Sequence, residues 1–188
     1  GFTHSEKITN IIGIARTSGF PVIGLVDSSG GRIQEGSGAY SIIFYENVMA
    51  SGVVPQISAI MGNCAGGAVY SPALTDFIFM VEGTSQMFVT GPAVIKAVTG
   101  VEISMQELGG AKAHSTTSGV CDFVTKSEKE CLALIKKLLS FLPSNYKQKP
   151  PVVDTGDNPS RCDEELLAIV PQSGKAPFDM RKIITKVV

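Results

Sequence analysis

The sequence predicts an α/β fold with a largely parallel sheet, and three observations carry that expectation. Segments of helical apolar spacing alternate with short runs that are apolar on successive residues, in the order helix, strand, turn, helix, strand, turn, helix, strand. The first two runs each lead into a glycine-rich turn, and each turn leads into a helix. Such alternation is the pattern of right-handed β-α-β crossovers, which lay successive strands side by side in one direction.

Ser5 to Ser18 reads as the first helix: Ile8, Ile11, Ile12 and Ala15 share one face, Ser5 is placed as a cap, and Gly19 suits a left-handed end. Pro21 to Val26 is apolar on successive residues, as in a strand covered on both faces. Gly38 to Ser51 returns to helical spacing through Tyr40, Ile43, Phe44 and Val48, with Gly52 to close it. Val53 to Met61 is the next strand, Pro55 marking its start or a bulge. The second turn, Gly62 to Ala68, leads to a short helix ended by Pro72, and Asp76 to Val81 restarts the strand pattern.

Beyond the third strand, Gly91-Pro92 opens a short helix through Lys96, and Ser104 with Glu107 forms a capping box before Leu108-Gly-Gly110. The clearest helix spans Ser127 to Leu142, with Cys131, Leu134, Ile135, Leu138, Leu139 and Leu142 on one stripe, a capping pair at Ser127 and Glu130, and Pro143 as its stop. Ser144 to Arg161 contains Pro150, Pro151 and Pro159 with little apolar content, so it is expected to wrap the surface as a loop. Asp179 to Val188 is a last amphipathic stretch. The chain opens on Gly1-Phe2 and stops inside that stretch, which reads as a piece of something larger.

Composition excludes several classes. At 44% apolar and 18% charged the chain is no disordered polymer. A net charge of −1 with scattered basic residues gives no field for gathering phosphate backbones, which speaks against nucleic acid. Gly, Pro, Ser or a charge interrupts every apolar run well short of a membrane span. Cys64, Cys121, Cys131 and Cys162 form no CxxC pair, so no metal site is expected; free thiols in a reducing compartment fit a cytoplasmic protein, or the mitochondrial matrix in a eukaryote.

The chemistry is expected at the turns, because ligands of open α/β sheets bind beyond the C-terminal ends of the strands. In Asp27-Ser-Ser-Gly-Gly-Arg-Ile-Gln-Glu-Gly36 and Asn63-Cys-Ala-Gly-Gly-Ala68, missing side chains admit a substrate to backbone N–H groups at helix starts. Two such groups aimed at one oxygen make an oxyanion hole. Neither turn is a P-loop, a dinucleotide fingerprint or a nucleophile elbow. Side-chain bases are scarce: His4 and His114 lie away from both turns, Asp27 and Glu35 can act as acid or base or merely shape the turn, and Cys64 reads as a buried thiol.

The two turns, with Ser51-Gly-Val-Val-Pro-Gln-Ile57, Ala68-Val-Tyr-Ser-Pro-Ala-Leu-Thr-Asp76, Phe88-Val-Thr-Gly-Pro92 and Glu107-Leu-Gly-Gly-Ala111, closely resemble the carboxyltransferase subunit of biotin-dependent acyl-CoA carboxylases. The propionyl-CoA carboxylase β and methylmalonyl-CoA transcarboxylase type is the nearest, with sodium-pumping decarboxylases as siblings. The resemblance covers almost the whole chain. Two departures stand out: Ser29 and Gly31 occupy positions where the family usually has Gly and Ala, and Val101 replaces a usual acidic residue.

The resemblance implies a crotonase-like β-β-α spiral, here a partial domain. Residues 1–143 would be the acyl-CoA-binding N-terminal domain, incomplete at its start, and 144–188 the wrapping loop and the start of an interdomain linker. It implies carboxyl transfer between carboxybiotin and a short acyl-CoA such as propionyl-CoA, through a thioester enolate, with the biotin ureido nitrogen taking the α-proton. The amides of Gly31 and of Gly66 or Gly67 would hold the thioester oxygen. Gly30 and Ala65 would line the site, and Arg32 and Lys96 are candidates for the coenzyme A phosphates. Implied partners are the biotin carboxyl carrier and biotin carboxylase subunits, and further copies of the chain in a ring of dimers. Three other readings remain open: a non-catalytic CoA-binding or assembly fragment, a sodium-pump acyl-CoA decarboxylase as the parent, and a crotonase-like hydratase or isomerase using Glu35.

Overall fold

The computed structural model describes residues 1–36 and 38–188. The chain forms two compact units, Gly1–Pro151 and Val152–Val188.

In the first unit, helix α1 (Phe2–Ser18) begins ahead of the expected cap. Ser5 lies buried inside the helix and its hydroxyl donates to the Gly1 carbonyl at 3.4 Å, so it back-bonds where a cap was expected. Gly19 ends the helix in the left-handed region at φ 76°, its N–H returning to the Ala15 carbonyl. Strand β1 (Val22–Ser28) leads to helix α2 (Gly38–Ala50), and β2 (Gln56–Ala65) to the short helix α3 (Tyr70–Ala73), which takes in Pro72. Then come β3 (Phe77–Val81), β4 (Gln86–Phe88), α4 (Pro92–Thr99), α5 (Met105–Gly109), α6 (Ala111–Ala113), β5 (Phe123–Thr125) and α7 (Glu128–Leu139).

All strand pairs are parallel, as expected. The order is β1-β2-β3-β5, with β4 also paired to β2. β2 runs further than its sequence pattern suggests: Gly62 to Ala65, expected as turn, continues the strand and pairs with both Ser28 and β4. Alternation along β2 sends Ile57 and Ala59 to one core, with Phe79, Cys131 and Ile135, and Ile60 and Cys64 to another, with Ala68, Met80 and Met87. The rings of Phe79 and Phe123 stack at 4.5 Å within the first of these.

Covering on both faces holds for β2 and β3 but not for β1. Val22 and Val26 pack inward, whereas Ile23 and Leu25 are 43% and 59% exposed. The helix on that face, α7, packs against β2, β3 and β5. Ser127 caps α7 by accepting the Glu130 N–H at 3.2 Å, while the Glu130 carboxylate accepts from Lys126 N–H at 2.8 Å. After α7 the chain is tied back, since Asn145 donates to the Gly19 carbonyl and Tyr146 N–H to the Val53 carbonyl, both at 3.0 Å.

The second unit holds α8 (Leu166–Ile169) and α9 (Met180–Val187). The Asp179 carboxylate caps α9 by accepting the Arg181 N–H at 3.0 Å. Arg161 closes the other end, donating to the Lys186 and Val187 carbonyls at 2.8 and 2.7 Å.

Candidate functional site

Two turns at the C-terminal ends of the adjacent strands β1 and β2 form the candidate site. Their alignment starts with an irregularity in the ladder. Val26 pairs with Ile60, but the next pair is Ser28 with Cys64, so β2 carries extra residues opposite Asp27. Asp27 stabilises that bulge, its Oδ1 accepting the Asn63 N–H at 3.0 Å. A Cβ on Gly62 would fall 2.5 Å from the same oxygen, so a side chain there would push the Asp27 carboxylate off the Asn63 N–H. The bulge brings the ends of β1 and β2 level.

From that point the turns pack backbone to backbone. Gly30 has φ +106°, and a Cβ placed on it would lie 2.9 Å from the Ala65 carbonyl oxygen. Ser29, which stands where the family usually has Gly, does not have positive φ; Gly30 does, and among the described residues only glycines do. Gly66 and Gly67 open a one-turn 3₁₀ helix, Gly66–Val69, the end at which N–H groups have no partner within the helix. Among the described residues the Gly31 N–H donates to nothing. Gly31 is exposed, and Gly66 and Gly67 are half-buried.

One side chain touches both turns. Tyr40, in the first turn of α2, puts Cε2 where a Cβ on Gly31 would be 2.7 Å away, and Cε2 and Cδ2 where a Cβ on Gly67 would be 3.3 Å away. Sequence patterning marked Tyr40 only as a core position on a helix; a sequence does not reveal which ring edge meets which loop.

The other candidates are engaged elsewhere. Arg32 pairs with Glu35 at 3.0 Å with its side chain 76% exposed, and Lys96 pairs closely with Glu102. Both expected phosphate-binding cations therefore carry a carboxylate partner. Lys96 lines a 410 Å³ hollow with Pro92, Glu102 and Ser104, apart from the glycine turns. The Glu35 carboxyl is held below the usual carboxylate range by Arg32 and then by the Phe2 N–H, which it accepts at 3.1 Å. His114 donates from Nε2 to the Met87 carbonyl at 2.6 Å, leaving Nδ1 to accept from Ser118 at 2.8 Å. His4 is exposed on α1. Cys64 is fully buried, and desolvation pushes its thiol up to about 12. Among the described residues no His, Cys, Asp and Glu group is arranged to hold a metal ion. None of their helices is long and apolar enough to cross a membrane.

The family profile of the carboxyl transferase domain matches residues 1–188. The chain belongs to the carboxyl transferase domain family. This domain is 54% identical over 191 residues to the methylmalonyl-CoA decarboxylase subunit alpha of Veillonella parvula, with all of the chain and 38% of that protein covered. It is 52% identical over 187 residues to the propionyl-CoA carboxylase beta chain of Roseobacter denitrificans, covering 98% of the chain and 37% of the relative. Among solved structures, a transcarboxylase 12S with hydrolysed methylmalonyl-coenzyme A bound matches at a TM-score of 0.82 and 46% identity, over 100% of this chain and 37% of that one. The beta subunit of geranyl-CoA carboxylase from P. aeruginosa matches at 0.65 and 26% identity, over 100% of this chain and 38% of that one. The transcarboxylase and geranyl-CoA carboxylase matches make the carboxyl transferase domain's fold crotonase-like. The domain spans under two-fifths of the length of each of these relatives.

Proposed function

We propose that this chain is the acyl-CoA-binding part of a biotin-dependent carboxyltransferase that moves a carboxyl group between carboxybiotin and a short acyl-CoA such as propionyl-CoA. The observation that carries this reading is the seating of Gly31 and Gly67 on one aromatic ring, beyond the ends of two adjacent parallel strands.

A thioester carbonyl laid between the turns would accept hydrogen bonds from the Gly31 amide and from Gly66 or Gly67. As the α-proton leaves, negative charge grows on that oxygen, and fixed donors bind the enolate more strongly than the ester. Losing one such donor costs about 2.7–4 kcal/mol of transition-state stabilisation. Carboxybiotin, carried by a partner protein or domain, would supply the carboxyl group as CO₂ by breaking its N–C bond, and the ureido nitrogen so freed would accept the α-proton. The residues present fit that division of labour: Asp27, Glu35 and His114 are held in structural hydrogen bonds, and the Cys64 thiol stays protonated. Residues 1–143 would supply this acyl-CoA half. Arg32 and Lys96 would reach coenzyme A phosphates only by giving up Glu35 and Glu102. Biotin carboxyl carrier and biotin carboxylase subunits would be the partners, and the hexamer of the transcarboxylase relative supports assembly with further copies.

The test is a titration of ¹⁵N-labelled chain with propionyl-CoA. The amide signals of Gly31 and of Gly66 or Gly67 should move downfield together and saturate at one affinity. Movement confined to other residues, or no movement, would overturn the reading.

A further inference from the structure

We infer that Tyr40 is a positioning residue whose ring sets the separation of the two glycine turns and so fixes where their amides meet the thioester oxygen. The inference rests on the functional reading above.

Three observations carry it. Among the described residues Tyr40 alone packs against two of the buried clusters: the one around Ile60, Cys64 and Ala68, and the one around Ile12, Ile43 and Ala50. Its ring also stacks on Phe44 at 5.9 Å and 21°. Anchored on those sides, the ring has little freedom to swing. Its remaining edge, Cδ2 and Cε2, is so close to Gly31 and Gly67 that neither position has room for a methyl group unless the ring yields. The first turn reaches the second by a backbone contact at Gly30 and Ala65 and by this shared ring.

A spacer of this kind acts through geometry. The benzene edge does the work, so phenylalanine should serve as well as tyrosine. Leucine fills much of the volume but offers no rigid planar edge, which would let the Gly31 turn drift relative to Gly67. A misplacement of about 1 Å at a reacting centre costs on the order of 100-fold in rate. Binding of the coenzyme A body would survive, because the contacts of Tyr40 are with the two turns, the core and Phe44.

The experiment uses the full 188-residue chain and propionyl-CoA labelled with ¹³C at the thioester carbonyl, read by isotope-difference infrared spectroscopy. An oxyanion hole polarises the carbonyl and lowers its stretching frequency. Wild type and Tyr40→Phe should show the same lowered frequency. Tyr40→Leu should bind the ester within about threefold of wild-type affinity and return the frequency to its solution value. That combination separates positioning from folding, because a merely structural role would move both variants or neither. Should Tyr40→Leu fail to fold, Tyr40→Met, also unbranched at Cβ and without a planar edge, takes its place with the same expected outcome. A lowered frequency retained in the Leu or Met variant overturns the inference alone. A wild-type chain that fails to bind the ester, or binds it without lowering the frequency, overturns the functional reading and the inference with it.

Discussion

Replacing Gly30 with alanine imposes two separable costs, and a second glycine isolates one of them. At φ +106° an L-residue is strained wherever it stands, by about 1–2 kcal/mol. The new Cβ would also lie 2.9 Å from the Ala65 carbonyl, a backbone atom that cannot rotate away. Forcing a methyl into such a contact costs about a further 1–3 kcal/mol. Gly83 lies at φ +78° between β3 and β4, and no described atom comes within 4 Å of its Cβ position, so Gly83→Ala bears the first cost only. Urea denaturation followed by circular dichroism should therefore find Gly30→Ala less stable than Gly83→Ala by about 1–3 kcal/mol at equal m-values. Equal losses would mean that the two turns do not touch, and the site geometry built on that contact would fall. In the infrared experiment Gly30→Ala should weaken the thioester shift, while Gly83→Ala should not.

Thiol labelling at pH 8 should find one fast cysteine, Cys162, with Cys64, Cys121 and Cys131 reacting only on unfolding; early mass addition at Cys64 would contradict its burial. Asn47→Leu should destabilise by about 1–3 kcal/mol for each partner it orphans. It strips the buried Gln56 Oε1 of its donor at 2.9 Å and Ser71 of its acceptor at 2.8 Å; a neutral result in urea would refute that network. Glu35 has a folded pKa lowered first by Arg32, so its contribution to stability is present above the unfolded value and is lost as pH falls through the folded value. Its carboxyl ¹³C titration should have a midpoint below that of an ordinary glutamate and move back up in Arg32→Ala, and Glu35→Gln should leave the thioester shift intact. A Glu35→Gln variant that loses the shift would favour the hydratase or isomerase reading.

The fold was legible wherever a signal repeats over several turns or marks the end of a helix. The stripe from Cys131 to Leu139, the caps at Ser104 and Ser127, and the left-handed glycine after α1 each reflect local physics and stand where the residues indicate. β4 and β5 escaped because three residues cannot establish a period of two. Ser5 misled because a serine near a helix start can cap or back-bond, and only the Gly1 carbonyl decides which. At the site, the glycines could be read as turn formers. The bulge that levels them depends on Asp27 meeting Asn63 across the sheet, and their spacing on Tyr40 meeting both from a helix. Those are contacts between segments distant in sequence. Arg32 and Lys96 had the right charge but stand with carboxylates that no single-residue reading pairs with them.

β2 serves two ladders in succession along one edge, β3 against Ile57–Ile60 and then β4 against Asn63–Ala65, while β1 follows the other. Adding or deleting a single amino acid within it would throw both neighbours out of step and turn Cys64 from interior to exterior. Descendants of this gene should therefore keep the number of residues in that stretch fixed, with length differences gathering in the connections that no ladder measures.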